Sequence, residues 1–343
     1  MRNLLLFLLL INIVLCNGLI NDTNQKPNKF LTSKIDESIE TFSTNEIHFR
    51  HPRYNNFLTR SKSNPKIIRF GAEEVNMTPV VFMHGLFSSY KDAYGLMEVL
   101  IEDHPGQPIY FLDINNNLNS FKSLKIQIQE IQELIRYIIK EHSYEFKKGF
   151  HFVGHSQGGL LSRSVIEEST DFIIKNYISL AGIQNGEYGN CQYLVPFIDC
   201  SQASYILYSK IFRDSLSVAQ FWRDVNYSYY LEWNQFLPYI NNEIETNETL
   251  KRKKNFMGIE NVYLYASPAD ELIAPWQSSH FGFYDEYNQT IIPMKEQLIY
   301  KKDLFGLKSL GERLHLIEIP NVKHGEWIRN KELIRKYILD KLI

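Results

Sequence analysis

The chain has 343 residues, with 37 Lys and Arg against 39 Asp and Glu for a formal charge of −2, and it holds 3 cysteines. That length can bury a large core, the charge balance leaves no basic footprint for nucleic acid, and so few cysteines exclude a disulfide scaffold. Aromatic residues stand out, with 22 Phe, 21 Tyr and 4 Trp, and suit either an apolar binding surface or a Tyr-rich core.

Met1-Arg2-Asn3 precedes an apolar run from Leu4 to Leu15, broken by Asn12. A run of about 12 residues is too short for a bilayer core, which needs roughly 20. The basic start, the short run and the small Cys16 and Gly18 predict a secretory signal peptide over 1–18 rather than an uncleaved anchor. No later stretch reaches spanning length, so the mature chain is expected to be soluble, with no transmembrane segment. Sequons at Asn21, Asn76, Asn226, Asn247 and Asn288 agree with export and are N-glycosylation candidates. Once Cys16 leaves with the signal, Cys191 and Cys200 remain, and an oxidising lumen predicts one local disulfide between them. A metal site is not expected, because two thiols lack the further His or Cys that zinc requires.

Residues 19–75 are polar, without a sustained period, and read as a flexible leader that packs little. From there to residue 343 the pattern predicts an α/β domain. Val80 to Met83 and Pro108 to Ile114 are short apolar strands, with a helix over Tyr94 to Ile101 between them. Leu124, Ile128, Ile131, Ile135 and Ile138 form one face of a long helix. Phe150 to Val153 is a third strand, Gly158 to Glu168 a helix and Tyr177 to Leu180 a fourth strand. This alternation argues for a mostly parallel sheet with helices on both faces. It stops at Gly182 and resumes at Val262. The intervening stretch is too long for a structureless loop, so about 183–258 is expected to be an inserted helical cap, rich in aromatics. Leu314 to Ile319 is a further strand and Lys331 to Leu342 a closing helix.

The most informative stretch is Gly154-His155-Ser156-Gln157-Gly158. It is G-x-S-x-G with a strand before and a helix after it, the setting of a nucleophile elbow in an α/β-hydrolase. A serine needs a base to become nucleophilic, and in this fold an acid and then a histidine follow it in the chain. Asp270, just past the strand Val262 to Tyr265, is the first candidate acid, with Glu271 and Asp285 as alternatives. Of the downstream histidines, His315 lies within a strand and His280 follows Asp270 too closely. His324 lies between the last strand and the last helix and is the favoured base. Backbone N–H groups of Gln157 and of Leu86, in the His84-Gly85-Leu86 loop, are the expected oxyanion donors. His84 and His155 read as packing residues.

Taken with the loop His84 to Ser89, with Pro275-Trp276-Gln277-Ser278-Ser279, and with Phe281-Gly282-Phe283-Tyr284-Asp285, these residues resemble the lysosomal palmitoyl-protein thioesterases. Glu296 to Tyr300 and Phe305 to Lys308 fit as well, and Pro275 to Ser279 resembles the second subgroup. The resemblance runs from about Pro79 to Ile343. It implies an α/β-hydrolase that cleaves long-chain acyl thioesters, needs no cofactor and is delivered to lysosomes. It places the family's serine, aspartate and histidine on Ser156, Asp270 and His324, and its oxyanion donors on Leu86 and Gln157. It gives His155 no role, and family members hold more cysteines than the pair left here. Two other readings share the sequence features: a secreted lipase or carboxylesterase with the same triad, and a lipid-binding glycoprotein whose triad is inactive. The leaving thiol, the acyl length and the oligomeric state are not encoded in any motif.

Overall fold

A computed structural model describes residues 59–60, 67–71, 77–189, 200–287 and 290–343. Segment 1–18, Cys191 and the sequons at Asn21, Asn76 and Asn288 lie outside the described residues. The strands are β1 (Thr59–Arg60), β2 (Ile67–Phe70), β3 (Val80–Met83), β4 (Ile109–Leu112), β5 (Phe150–His155), β6 (Ile174–Leu180), β7 (Asn261–Ala266), β8 (Phe283–Tyr284), β9 (Ile291–Ile292) and β10 (Leu314–Glu318). Eight of them form one sheet in the order β1-β2-β4-β3-β5-β6-β7-β10, and β8 and β9 pair as a separate hairpin. From β4 across to β10 all neighbours are parallel. With helices on both faces this is the α/β-hydrolase fold expected. Strands β3, β4 and β5 are buried at every position, which is why they read as continuous apolar runs rather than alternating ones.

One face of the sheet is covered by α1 (Tyr94–Asp103) and the closing helix, which ends at Tyr337. Leu96, Val99 and Leu100 of the first and Ile334 of the second join Val80, Phe82, Phe111 and Val153 in one core cluster. Across the other face run α2 (Leu124–Glu141) and α3 (Gln157–Glu168). The five apolar positions read from the sequence of α2 are all buried, together with Leu134 and Gln127.

The leader expectation needs correction. Residues 67–70, placed in it, form β2, antiparallel to both β4 and β1. Ile67, Ile68 and Phe70 are buried. Arg69 tolerates burial because its guanidinium meets Glu145 at 2.6 Å and the Tyr110 hydroxyl at 3.1 Å.

The expected cap region contains α4 (Cys200–Leu207), α5 (Ser217–Phe221), α6 (Tyr227–Trp233), α7 (Leu237–Ile240) and α8 (Thr249–Met257). The last of these packs on α3 instead: Asn255 Nδ2 donates to Glu167 O at 2.8 Å, and Arg252 meets Glu168 at 2.5 Å. The insertion therefore ends before Thr249. Within it, many rings pack on one another. Trp222 Nε1 donates to Ser204 Oγ at 2.7 Å, Tyr208 donates to Trp222 O at 2.8 Å, and the Tyr188 and Trp222 rings lie 5.4 Å apart.

Candidate active site

Between β5 and α3 the chain reverses at one residue. Ser156 sits at φ 59°, ψ −128°, in a region that costs a non-glycine residue of order 1–3 kcal/mol and persists only where its surroundings enforce it. Two glycines do so. A Cβ on Gly154 would lie 2.3 Å from Gly158 O, and one on Gly158 would lie 2.4 Å from the carbonyl oxygens of Met83 and His84. Strand, helix and the loop after β3 thus approach one another closer than any side chain allows. The Ser156 amide is anchored to Leu180 O at 3.0 Å.

The loop after β3 lies directly against the serine, since a Cβ on Gly85 would fall 2.7 Å from Ser156 Cβ. Phe87, at φ 52°, donates its N–H to Ser120 Oγ at 2.7 Å and fixes the loop. Among the described residues, the Leu86 and Gln157 amides donate to no protein acceptor. The Gln157 side chain is locked away from them, donating to Ser120 O at 2.9 Å. Two unpaired N–H groups beside a serine, one at the start of a twelve-residue helix, are suited to stabilising a developing oxyanion.

Asp270 and His324 come together from the loops after β7 and β10. His324 Nδ1 lies 2.8 Å from Asp270 Oδ2 and 3.1 Å from Oδ1. Nδ1 therefore carries a proton, and in the neutral imidazole the lone pair is on Nε2. The Leu272 and Ile273 amides donate to Asp270 Oδ1 at 2.9 and 3.0 Å. Burial opposes the charge on Asp270, but His324 and these amides outweigh it and hold its carboxyl below the usual carboxylate value. Ser267 Oγ accepts from Ala269 N and from Val322 N, each at 3.1 Å, and so joins the Asp270 loop to the His324 loop. No hydrogen bond links Ser156 Oγ to His324 Nε2 in this state; such contacts commonly tighten when substrate binds.

The alternatives left open by the sequence occupy other positions. Glu271 accepts from the backbone N–H of His324 at 3.1 Å rather than from its ring. Asp285 accepts from Thr290 in the β8–β9 hairpin. His280 donates to Leu264 O, and His315 stacks on Tyr263 at the sheet edge. Asn226 is exposed and caps α6, accepting from Tyr229 N at 2.8 Å, and Asn247 is exposed. Cys200 opens α4. Among the described residues no cluster of His, Cys, Asp or Glu could hold a metal ion, and no helix is long and apolar enough to cross a membrane.

Two residues near the site had no assigned role in the sequence. His155 donates from Nε2 to the backbone carbonyl of His324 at 2.9 Å. Glu187, on the loop after β6, is 8% exposed and close enough to Asp270 to feel its charge. The sequence signal for it is slight: one acid between Gly186 and Tyr188, in a stretch with no motif.

A family profile described as palmitoyl protein thioesterase matches residues 79–324. The chain is 36% identical over 280 residues to lysosomal thioesterase PPT2-B of Xenopus laevis, covering 80% of this chain and 96% of that protein. It is 34% identical over 260 residues to lysosomal thioesterase PPT2 of Homo sapiens, covering 74% and 84%. With the lysosomal thioesterase PPT2 homolog of Drosophila melanogaster it shares 31% identity over 269 residues, covering 77% and 91%.

Proposed function

The chain belongs to the palmitoyl protein thioesterase family and is a thioester hydrolase, and from that premise we propose a lysosomal serine thioesterase that cleaves long-chain fatty acyl thioesters through Ser156, His324 and Asp270. The observation that carries this reading is the 2.8 Å pair of His324 Nδ1 and Asp270 Oδ2, which leaves Nε2 as the free basic nitrogen. Its relatives' names supply the lysosome, and the expected signal peptide supplies the route there.

The reaction proceeds in two steps. Ser156 Oγ attacks the thioester carbonyl carbon as His324 Nε2 takes its proton, and Asp270 stabilises the imidazolium that forms. The carbonyl oxygen gains charge against the Leu86 and Gln157 amides, an interaction of which one donor is typically worth about 2.7–4 kcal/mol. Collapse of the tetrahedral intermediate breaks the carbon–sulfur bond, and His324 returns the proton to the departing thiolate. A thiol of pKa about 8.5 leaves more readily than an alcohol. Water then attacks the acyl-enzyme by the same route, releasing the fatty acid. No cofactor enters either step.

The test is hydrolysis of palmitoyl-CoA beside the matching oxygen ester, with fluorophosphonate labelling of the same preparations. The wild-type chain is expected to label and to favour the thioester, and Ser156→Ala to lose both labelling and turnover. Preference for the oxygen ester points to a lipase or carboxylesterase. A wild-type chain that does not label points to a lipid-binding protein.

A further inference from the structure

Three helices and the loop after β3 converge on Ser120, a fully buried residue in the 3₁₀ turn Asn117–Phe121 that follows β4. Its hydroxyl accepts from Phe87 N at 2.7 Å and donates to Asn117 O at 2.5 Å. Asn117 N in turn donates to Ser88 O at 2.8 Å, so this turn holds the loop at two successive residues. The Ser120 carbonyl accepts from Gln127 Nε2 of α2 at 2.8 Å, from Gln157 Nε2 of α3 at 2.9 Å and from Ser217 Oγ of α5 at 3.1 Å. The hydroxyl is therefore a rigid post, braced by two helices that cover the sheet and by one of the cap.

The post acts one residue away from a candidate oxyanion donor. A peptide unit is planar, so the contact at Phe87 N fixes the plane that joins Leu86 to Phe87. On the other side of Leu86, His84 Nδ1 meets Gly85 O at 2.9 Å, and that oxygen shares a plane with the Leu86 N–H. Only φ and ψ of Leu86 separate the two held planes. The loop needs this restraint because Phe87 sits at φ 52°, a left-handed conformation that a bulky residue keeps only where its surroundings enforce it. The Ser120 hydroxyl supplies that enforcement. Because the Ser120 carbonyl also holds the Gln157 side chain, the two donor residues are set from one point although they belong to separate elements.

We propose that Ser120 is a positioning residue for the oxyanion hole: its hydroxyl, through the Phe87 N–H, holds the Leu86 amide in line with the Gln157 amide. This inference rests on the thioesterase reading. The oxyanion exists only at the tetrahedral stage, so a displaced Leu86 amide weakens that stage and leaves ground-state binding alone. Acylation and deacylation both pass through such a stage. The two steps therefore slow together, and KM stays in place while kcat falls.

The experiment compares wild type with Ser120→Ala in kcat and KM on palmitoyl-CoA and in inhibition by two ligands. One is a trifluoromethyl ketone with a chain of palmitoyl length, to which Ser156 adds to give a tetrahedral oxyanion. The other is palmitate, which forms no such adduct. Ser120→Ala is expected to lower kcat, and to weaken the ketone in parallel, by about tenfold to hundredfold, less than complete removal of one donor. KM and the palmitate inhibition constant are expected to stay within about twofold of wild type. Ser120→Cys, whose sulfur is a weak acceptor, is expected to fall between the two, and it carries the same comparison should the alanine variant not fold. A ketone constant that does not move overturns the proposal. So does a loss shared equally by KM and palmitate, which marks a general distortion of the site. Either result leaves the thioesterase reading intact. A wild-type chain that neither hydrolyses palmitoyl-CoA nor labels with a fluorophosphonate overturns that reading and this one with it.

Discussion

His155 Nε2 holds the backbone carbonyl of His324 at 2.9 Å, and the two imidazole rings pack 4.8 Å apart. The residue before the nucleophile thus grips the main chain of the candidate base. Because its partner is a carbonyl, Nε2 must carry the proton. Burial and the neighbouring His324 push the His155 ring down to about 3, so it remains neutral and does not compete for the serine's proton. His155→Phe is expected to lower kcat by up to about 10²-fold, the cost of a misplaced reacting group, while His155→Gln keeps a donor and recovers part of it. Equal kcat in wild type and the phenylalanine variant would remove this positioning role.

Asp270→Asn keeps the shape of the acid but presents an amide to His324 Nδ1. The imidazole then turns its other tautomer to the serine, and kcat is expected to fall by about 10⁴. Steady-state kinetics on palmitoyl-CoA beside thermal melts of the same variant check this. A drop of less than about tenfold would transfer the acid's role to another carboxylate.

His151 offers a pH prediction remote from the chemistry. Its ring is buried near the end of the chain, with Nε2 3.3 Å from Ile343 O, and burial pushes it down to about 4. Unfolded, a histidine titrates near 6.5. Between about 4 and 6.5 the unfolded chain binds the extra proton, so this residue's contribution is full above 6.5 and is lost as pH falls toward 4. His151→Phe is expected to flatten the decline of Tm over that window with little change in kcat. An unchanged slope would show that the acid sensitivity arises elsewhere, for example at His84 or His155, which burial also holds low.

The sheet and the elbow were legible because their physics is local. β3, β4 and β5 are continuous apolar runs, and a small-residue turn between a strand and a helix has few other uses. β2 was hidden by Arg69, whose burial depends on Glu145 and Tyr110, 76 and 41 residues away. α8 was folded into the cap because Lys251, Arg252, Lys253 and Lys254 mask its apolar period, and its attachment to α3 is made by polar contacts. Spacing alone ranked Asp270 above Glu271. What separates them is that one meets the ring of His324 and the other its backbone.

Arg163 is fully buried on α3, bonded to Glu167 at 3.1 Å, to Gln184 O at 3.0 Å and to Asn241 at 2.9 Å, and it joins the helix behind the serine to the cap. Arg163→Met removes one partner of a buried pair and is expected to cost about 3–5 kcal/mol in urea unfolding. Burial pushes Glu167 up to about 7 even with Arg163 present. A raised carboxyl favours the folded state most below its unfolded pKa and loses that advantage as pH rises. The variant's deficit should therefore be larger at pH 8 than at pH 5, and a deficit independent of pH would disconnect it from Glu167.

Gly158→Ala places a methyl against the carbonyl oxygens of Met83 and His84. Backbone on both sides must move, so a destabilisation above about 3 kcal/mol or outright failure to fold is expected. A stable, active alanine variant would mean that the elbow is looser than these distances.

The hydroxyl of Ser267 ties the chain before Asp270 to the chain before His324. Asp270 and His324 therefore ride on one joint although 54 residues separate them. The Leu86 loop, after β3, and the cap, after β6, hang from other parts of the sheet. A change in the Leu86 loop or in the cap can therefore leave the pairing of His324 with Asp270 undisturbed.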